Sequence, residues 1–463
     1  MNTRPATMLP AAVSTELQAR FGSRYSTAAA VRDQHARGES PFPPAPPDAV
    51  VYADTIDDVQ AVMALCHAHR VPVIAFGAGS SLEGQLLAVR GGVSLDMSRI
   101  NRIQSIDAED FTATVQAGVT REQLNQALKE SGLFFPVDPG AHASLGGMAA
   151  TRASGTNTVR YGSMRENVLA LTVVMADGRI VRTGGRAMKS AAGYDLTRLF
   201  VGSEGTLGVI TEVTVRLYPL PESVTAAVVG FPDAKAAVST VIAAIQSGLP
   251  IARSEYLCAK SIRAINQATP GLNLRERPTL FLEFHGSPAA VEEQSALLRE
   301  IADMYGGEDF DWAARPEDRT RLWQARHNAY YACRVSRAGA QVITTDTCVP
   351  RSRLAECIAR AGDVTRGASF PTMIFGHVGD GNFHVLMIVD PANEAERHEA
   401  EAINAAIVDV AMSAGGTCSG EHGIGYHKKD FLLREAGASA VDLMRDIKAL
   451  LDPHGILNPE KIF

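Results

Sequence analysis

The sequence lacks several features that would each indicate a particular class of protein. No unbroken apolar run reaches the roughly 20 residues that a helix needs to cross a bilayer. None of the six cysteines forms a C-x-x-C pair, which argues against a zinc finger or iron–sulfur cluster and indicates reduced thiols. A net charge of −7 without long blocks of one sign argues against a nucleic-acid surface. The opening MNTRPATMLPAAV has no basic region followed by an apolar core, so we expect no secretory signal and a cytoplasmic protein, with loose membrane association left open.

The length and composition are those of a globular protein with more than one core. The chain has 463 residues, of which 46% are hydrophobic and 21% charged. A chain of this length favours two domains. There is no internal repeat.

The first half reads as a mixture of helices and strands. Apolar residues from Asp57 to His69 recur at helical spacing, and Thr120 with Gln123 forms a capping-box signature at the start of another helix. Asp177-Gly178, between two apolar runs, predicts a hairpin. Strict β–α alternation is absent, so we predict an α+β fold.

The second half changes pattern after the proline-flanked segment 216–223. From there the order of elements reads β-α-β-β-α-β, the ferredoxin-like split unit. A single long helix is predicted over 316–337, and a strand pair around 373–389.

Three stretches rich in small residues indicate a long ligand that lies against backbone. The first, GAGSSLEG (77–84), fails the Rossmann fingerprint because Leu82 stands where glycine is required. Its backbone N–H groups and serine hydroxyls still suit an anion. With 139–157 and 202–211, it favours a dinucleotide, although small residues also serve turns and close packing.

Two segments carry candidate metal ligands. If Asp380-Gly381 formed a tight turn in GHVGDGNFHV, His377 and His384 would face each other directly across a hairpin, where two imidazoles can hold one metal ion. The alternative is a pair of structural histidines beside a turn. Glu421, in SGEHGIG, can complete a two-His-one-carboxylate set, and His422 is then a candidate general base.

One arginine is a candidate carboxylate anchor. LWQARHNAYY (322–331) places Trp323, Arg326 and Tyr330 on one helical face. Arginine binds a carboxylate through two parallel hydrogen bonds, although a helical arginine is more often a solvated surface charge.

These motifs, together with YDLTRLFVGSEGTLGVITE (194–212) and the terminal LNPEKI, resemble the vanillyl-alcohol oxidase-type flavoproteins. They are most similar to the branch of D-lactate and D-2-hydroxyglutarate dehydrogenases. The resemblance implies an N-terminal arm (1–45), an FAD-binding domain (46–222), a ferredoxin-like cap with helical additions (223–415), and a C-terminal segment that returns to the FAD domain (416–463).

The resemblance also implies the residues of the site. The expected FAD-binding residues are Gly77, Gly79, Ser80, Ser81, Gly84, Pro139, Ser144, Gly147, Ser154, Glu204, Gly205, Ile210 and Asn458. The first loop has no His or Cys, and the second has only His142, so we expect non-covalent FAD. The family binds a divalent metal through positions that match His377, His384 and Glu421; zinc, manganese and iron are all compatible with these ligands. His422 would accept the hydroxyl proton, Arg326 would hold the substrate carboxylate, and the hydride would go to flavin N5.

Departures from the 2-hydroxyglutarate branch bear on the substrate. That branch has a lysine just before the Asp of the strand, whereas this chain has Thr344 and Thr345 before Asp346. The branch also has a polar residue two positions after the second metal-binding histidine, and this chain has Leu386 there. A small monocarboxylic D-2-hydroxy acid is therefore expected: D-lactate first, then longer aliphatic acids, with glycolate left open. Cytochrome c, a quinone and an electron-transfer flavoprotein are all compatible as electron acceptor, and a homodimer is compatible as the assembly.

Three other hypotheses stay open at this point. One is a glycolate oxidase subunit of the same fold. Another is a flavin-free metallohydrolase built on His377, His384 and Glu421. A third is a flavin-binding electron carrier, which would have no use for the metal set.

Overall fold

The computed structural model describes residues 9–313 and 315–463. The chain forms two compact units. Unit 1 consists of the chain up to Ser154, Gly162–Leu220 and Glu421–Phe463; unit 2 consists of Gly155–Tyr161 and Pro221–Gly420. None of the described helices combines the length and the apolar character needed to span a bilayer.

The elements up to residue 220 are short and alternate irregularly between helix and strand. They are α1 (Ala11–Phe21), β1 (Tyr25–Ser26), α2 (Ala29–Gln34), β2 (Ala49–Tyr52), α3 (Ile56–His69), β3 (Val73–Phe76), β4 (Val93–Asp96), β5 (Ile103–Asp107), β6 (Thr112–Gln116), α4 (Arg121–Leu128), β7 (Leu133–Phe134), α5 (Leu145–Thr151), α6 (Thr158–Tyr161), α7 (Met164–Asn167), β8 (Val168–Val174), β9 (Ile180–Gly184), α8 (Leu196–Phe200), β10 (Val209–Arg216) and β11 (Tyr218–Pro219).

The elements after residue 220 include the longest of the described helices. They are β12 (Ser223–Gly230), α9 (Ala234–Gln246), β13 (Ile251–Leu257), α10 (Ala259–Ala268), β14 (Thr279–Gly286), α11 (Pro288–Met304), β15 (Glu308–Ala313), α12 (Pro316–His327), α13 (Ala329–Val335), β16 (Gln341–Thr344), β17 (Thr347–Cys348), α14 (Arg351–Val364), β18 (Thr372–Gly376), β19 (Asn382–Val389), α15 (Glu394–Ser413), α16 (Lys429–Ala436) and α17 (Ala438–Leu451).

Unit 1 is built on two main sheets. One has the order β1-β2-β4-β3, in which β2, β4 and β3 are parallel; the other has the antiparallel order β5-β6-β10-β8-β9. The C-terminal segment reaches the first sheet, because Leu457 forms a parallel bridge with Val73. The α+β class predicted from the sequence is confirmed.

The local signals of the first half are confirmed by the helices and the hairpin that they form. In α3, Thr55 and Asp58 make the reciprocal bonds of a capping box, and the apolar stripe at Val59, Val62, Met63 and Cys66 is fully buried. Burial of each such side chain contributes about 1.5–3 kcal/mol. The capping box of α4 is also present, and β8 and β9 form the antiparallel hairpin around Asp177-Gly178.

Unit 2 contains the predicted ferredoxin-like arrangement. Its strands are ordered β15-β12-β14-β13, and the sheet continues through β18 and β19 to β16. One face carries a core to which α9, α11, α14 and α15 contribute, while α10, α12 and α13 cover the other face. Because helices cover both faces, the central strands are almost entirely buried.

Two parts of unit 2 differ from the sequence prediction. Helix α10 lies between the second and third strands, where none was predicted; its apolar residues Ile262 and Ile265 are buried. The single helix predicted over 316–337 is instead two helices, since α12 ends at His327 and α13 begins after Asn328.

Candidate functional site

Two of the stretches predicted to hold a dinucleotide contact each other within unit 1. Gly77 follows β3 directly, and Ser144 caps α5 by accepting a hydrogen bond from the Gly147 N–H at 3.4 Å. A Cβ on Gly77 would lie 2.6 Å from Ser144 Oγ, inside van der Waals contact. Gly77 therefore packs against the Ser144 side chain at the start of α5, and a side chain at position 77 would require Ser144 Oγ or the loop to move.

The other residues predicted to bind FAD also belong to unit 1. They are Gly79, Ser80, Ser81, Gly84, Pro139, Ser154, Glu204, Gly205, Ile210 and Asn458. Gly205 and Asn458 are neighbours, since a Cβ on Gly205 would lie 3.9 Å from the Asn458 side chain. Ile210 lies in β10 and packs in the core of the antiparallel sheet.

Unit 1 contains buried polar atoms that have no hydrogen-bond partner among the described residues. They include Ser81 Oγ, Ser203 Oγ and Asn458 Oδ1. Leaving such an atom unpaired costs about 1–3 kcal/mol. Two of the three belong to residues predicted to bind FAD, so the residues present fit a polar ligand such as a dinucleotide. Ser203 was not predicted; its only sequence signal is its place in the third small-residue stretch.

Glu204 holds a loop. Its carboxylate oxygens accept hydrogen bonds from the N–H groups of Ile424 and Gly425, each at 2.8 Å, while its carbonyl accepts from Asn458 Nδ2 at 2.7 Å. Burial raises the pKa of the Glu204 carboxyl to about 7 in spite of these donors. Glu204 thus connects Asn458 to the segment that follows His422.

Within unit 1, Glu421 and His422 are held by residues of the FAD-binding stretches. Ser154 Oγ donates to Glu421 Oε2 at 2.6 Å, and Gln85 Nε2 donates to the His422 carbonyl at 2.8 Å. The His422 ring has carboxylates on both sides: Glu83 Oε1 lies 3.6 Å from Nδ1, and Glu421 Oε1 lies 3.7 Å from Nε2. Each ring nitrogen of His422 therefore has a carboxylate neighbour.

Glu83 is a buried carboxylate that the sequence reasoning missed. Burial opposes its ionisation, but the Lys428 ammonium at 2.9 Å, with His422 and His427, lowers its pKa below the usual range. Its sequence signal was a glutamate inside the glycine-rich GAGSSLEG, among residues otherwise chosen for small size. Glu83 and Lys428 fix the surroundings of His422.

In unit 2, His377 and His384 come together, but not in the predicted register. Phe375, not His377, lies opposite His384, and a five-residue connection, 377–381, replaces the tight two-residue turn. The prediction that the two histidines face each other directly is wrong. His377 lies just after the last residue of β18, and its ring nevertheless stays close to that of His384, with centroids 5.6 Å apart.

The Nδ1 atom of each imidazole is hydrogen bonded to the protein. His377 Nδ1 lies 2.7 Å from Glu255 Oε1, and His384 Nδ1 lies 3.0 Å from the Thr345 carbonyl oxygen. A carbonyl only accepts, so His384 carries a proton on Nδ1. This is the pattern of histidines that ligate a metal through Nε2.

Arg326 is buried, with 6% of its surface exposed, and it is paired with Glu255. Its guanidinium also lies over the Phe375 ring, 4.9 Å from the centroid. Although burial opposes ionisation of Glu255, Arg326 and His377 lower the pKa of its carboxyl below the usual range. Arg326 Nε has no hydrogen-bond partner among the described residues, as expected of a donor that would bond an acceptor atom of a bound ligand. The sequence reasoning missed Glu255.

Asp346 anchors the end of unit 2. Its side chain is buried, accepts from Asn382 Nδ2 at 3.0 Å and from Ser419 Oγ at 2.8 Å, and its carbonyl accepts from the Gly420 N–H. Asp346 and His384 are residue types that can ligate a metal ion.

Of the three residues that depart from the 2-hydroxyglutarate branch, Thr344 and Leu386 are neighbours, and Thr345 is fully buried. Thr344 pairs with Leu386 across β16 and β19. Leu386 is fully buried in the apolar cluster that contains Trp323 and Phe375. This part of the sheet face is therefore apolar.

Comparison with known proteins gives two family matches. Residues 220–462 match the model described as FAD linked oxidases, C-terminal domain, and residues 47–184 match the model described as FAD binding domain.

Two curated relatives and one solved structure are similar over nearly the whole chain. A probable mitochondrial D-lactate dehydrogenase of Danio rerio is 48% identical over 94% of this chain and 88% of its own length. A mitochondrial D-lactate dehydrogenase [cytochrome] of Arabidopsis thaliana is 45% identical over 90% and 73%. The structure of p-cresol methylhydroxylase with bound substrate covers 97% of this chain and 96% of its own, with a TM-score of 0.78 at 18% identity, and so shares the fold.

Proposed function

We propose, from the premise that this chain belongs to the family of FAD-linked oxidases, that it is an FAD-dependent dehydrogenase that oxidises D-lactate to the 2-oxo acid. The expected family and the vanillyl-alcohol oxidase-type fold are confirmed. The observation that carries the proposal is in unit 2: Glu255 joins the buried Arg326 guanidinium to His377, and the His377 and His384 rings, each with a hydrogen-bonded Nδ1, lie 5.6 Å apart.

Arg326 is proposed to bind the substrate carboxylate. Its buried, unpartnered Nε supports this role, because a carboxylate would satisfy that donor. The pair Thr344 and Leu386 provides no second cation beside it, and an unpaired second carboxylate would be costly against this apolar surface. A monocarboxylic acid with a small apolar side chain therefore fits best.

His422 is proposed to take the proton of the substrate hydroxyl. His377, His384 and Glu421 would hold a divalent metal, zinc or manganese by their ligand type, with iron also compatible. A metal bound there would polarise the substrate hydroxyl, and FAD would supply the acceptor for the hydride of the hydroxyl-bearing carbon. The alcohol then loses one proton and one hydride and becomes the 2-oxo acid.

The electrons would pass from the flavin to a separate acceptor. We propose a cytochrome on the strength of the Arabidopsis relative's name. FAD is proposed to be non-covalent, since GAGSSLEG offers neither His nor Cys.

The test is the visible spectrum of the purified, FAD-loaded protein under anaerobic conditions. D-lactate should bleach the flavin band, whereas L-lactate and D-2-hydroxyglutarate should not, and a chelator should abolish the bleaching until zinc or manganese is restored. Faster bleaching by glycolate than by D-lactate would favour the glycolate oxidase hypothesis. A band that no 2-hydroxy acid bleaches, with metal present, would refute the proposal.

A further inference from the structure

Glu255 is a charged residue at a place where charge is expensive. It lies in β13, a central strand of the unit 2 sheet, and is completely buried. Its neighbour Leu257 on the same side of the strand belongs to the apolar cluster beneath α10, α12 and α13. An ionised carboxylate in such surroundings costs several kcal/mol unless it is paired and hydrogen bonded.

Each carboxylate oxygen of Glu255 has its own partner. Oε2 accepts from Arg326 Nη2, and Oε1 lies 2.7 Å from His377 Nδ1. The permanent charge of the guanidinium keeps Glu255 ionised, and an ionised carboxylate can only accept. His377 must therefore present its proton on Nδ1.

The position of that proton decides what the other ring nitrogen does. An imidazole that holds its proton on Nδ1 has its lone pair on Nε2, the atom that ligates a metal, and a carboxylate on Nδ1 also makes that lone pair more basic. His384 has the equivalent bond from a different source, the Thr345 carbonyl, so only His377 depends on a side chain for its tautomer.

We propose that Glu255 is the positioning residue of the metal site: it fixes the Nδ1–H tautomer and the ring orientation of His377, while Arg326 supplies the charge that keeps Glu255 an acceptor. The inference rests on the proposed function, because His377 is a ligand only if the protein binds a metal there.

Glu283 provides a matched control on the same face of unit 2. It is also buried, lies opposite Arg253 in the sheet with an ion-pair distance of 3.5 Å, and accepts from His285 Nε2 at 2.8 Å. Both nitrogens of His285 are engaged, since Nδ1 bonds Tyr161 at 2.8 Å, so this histidine has no nitrogen for a metal. Removing the Glu283 charge should disturb the sheet to a similar degree and leave metal binding intact.

The experiment compares full-length, FAD-loaded wild type, E255Q and E283Q after removal of bound metal. Each is titrated with Zn²⁺ and separately with Mn²⁺ in equilibrium dialysis, without substrate, and bound metal is measured by elemental analysis. We expect the metal Kd to rise 10- to 100-fold in E255Q, the range seen when a carboxylate behind a ligating histidine is removed, and about 2-fold or less in E283Q.

A background variant separates positioning from general damage. In H377A, metal binds more weakly, and adding E255Q should cause no further loss because the residue through which Glu255 acts is gone. An equal 10- to 100-fold loss in both backgrounds, or a wild-type metal Kd in E255Q, would overturn the inference.

E255Q counts as folded only if it retains FAD and a cooperative thermal transition. If it does not, metal binding is measured in E255D instead, because aspartate keeps the charge beside Arg326 but is too short to reach His377 in the same way. It should weaken metal binding at least several-fold; wild-type affinity in a folded E255D would contradict the proposal. The proposed function is refuted by a different result: if D-lactate does not reduce the flavin of wild-type protein that holds both metal and FAD.

Discussion

The contact between Gly77 and Ser144 makes the substitution of Gly77 by alanine a test of the FAD-binding geometry. The new Cβ would lie 2.6 Å from Ser144 Oγ, whereas its next neighbour, Ser144 Cβ, is at 3.9 Å, an ordinary contact. The clash is therefore with a single hydroxyl oxygen. Relief requires either that the loop moves away from α5 or that the hydroxyl rotates.

Both kinds of relief have a cost. Rotation of the hydroxyl breaks the cap bond to the Gly147 N–H, worth about 1 kcal/mol, and at 3.4 Å this bond is at the weak end of the range. Displacement of the loop is overpacking, which costs about 1–3 kcal/mol. If the present geometry is the one that FAD needs, G77A should weaken FAD binding by about 5- to 140-fold, since each 1.4 kcal/mol is a factor of ten.

The assay is titration of the FAD-free protein with FAD, followed by flavin fluorescence. G185A is the control, because Gly185 lies outside the three small-residue stretches and a Cβ there meets nothing within 4 Å. The sharper comparison is G77A in an S144A background, where the clashing oxygen is absent: there G77A should cost almost nothing. A G77A loss of the same size with and without Ser144 Oγ would refute the reasoning, as would unchanged FAD affinity in G77A itself.

Two further predictions concern stability. Burial raises the folded-state pKa of Glu204 to about 7, above the ordinary glutamate value of 4.5, so its stabilising contribution is full below pH 4.5 and is lost as the pH rises through 7. Urea unfolding from pH 4.5 to 8 should therefore show wild type losing about 3 kcal/mol relative to E204Q, and parallel curves would contradict the assignment. For Gly381, φ is 89° and a Cβ would lie 2.1 Å from the Val349 carbonyl oxygen, so G381A should lower the apparent Tm and weaken metal binding through the 377–381 connection. G367A is the control: its φ is 85°, so alanine is strained there too, but a Cβ at Gly367 meets no atom within 4 Å. An equal loss of Tm in both variants would show that the contact with Val349 is unimportant.

Features that depend on neighbours in the sequence could be read from the sequence. The capping box at Thr120 and the hairpin at Asp177-Gly178 are set by residues within a few positions of one another. The β-α-β-β-α-β order followed from hydrophobic periodicity in the same way. Helix α10 was missed although Ile262 and Ile265 give it an apolar stripe, because the segment is short and lies between two strong strands.

Candidate ligands and bases could also be named from the sequence, because residue type limits their chemistry: His377, His384, Glu421 and His422 are suited to metal binding and proton transfer wherever they lie. Their geometry could not be read. A turn type sets the register of a hairpin, and the sequence allowed both the two-residue turn and the five-residue connection that put Phe375 opposite His384.

The tertiary structure alone decided which charges are paired. Glu255 is far in the sequence from both Arg326 and His377, and Glu83 is farther still from Lys428, so no local pattern connects them. The physical reason is that a buried carboxylate is tolerated only beside a cation or donor, and the path of the whole chain determines which cation arrives there. The sequence named the reacting groups, and the fold determined which buried carboxylates hold them.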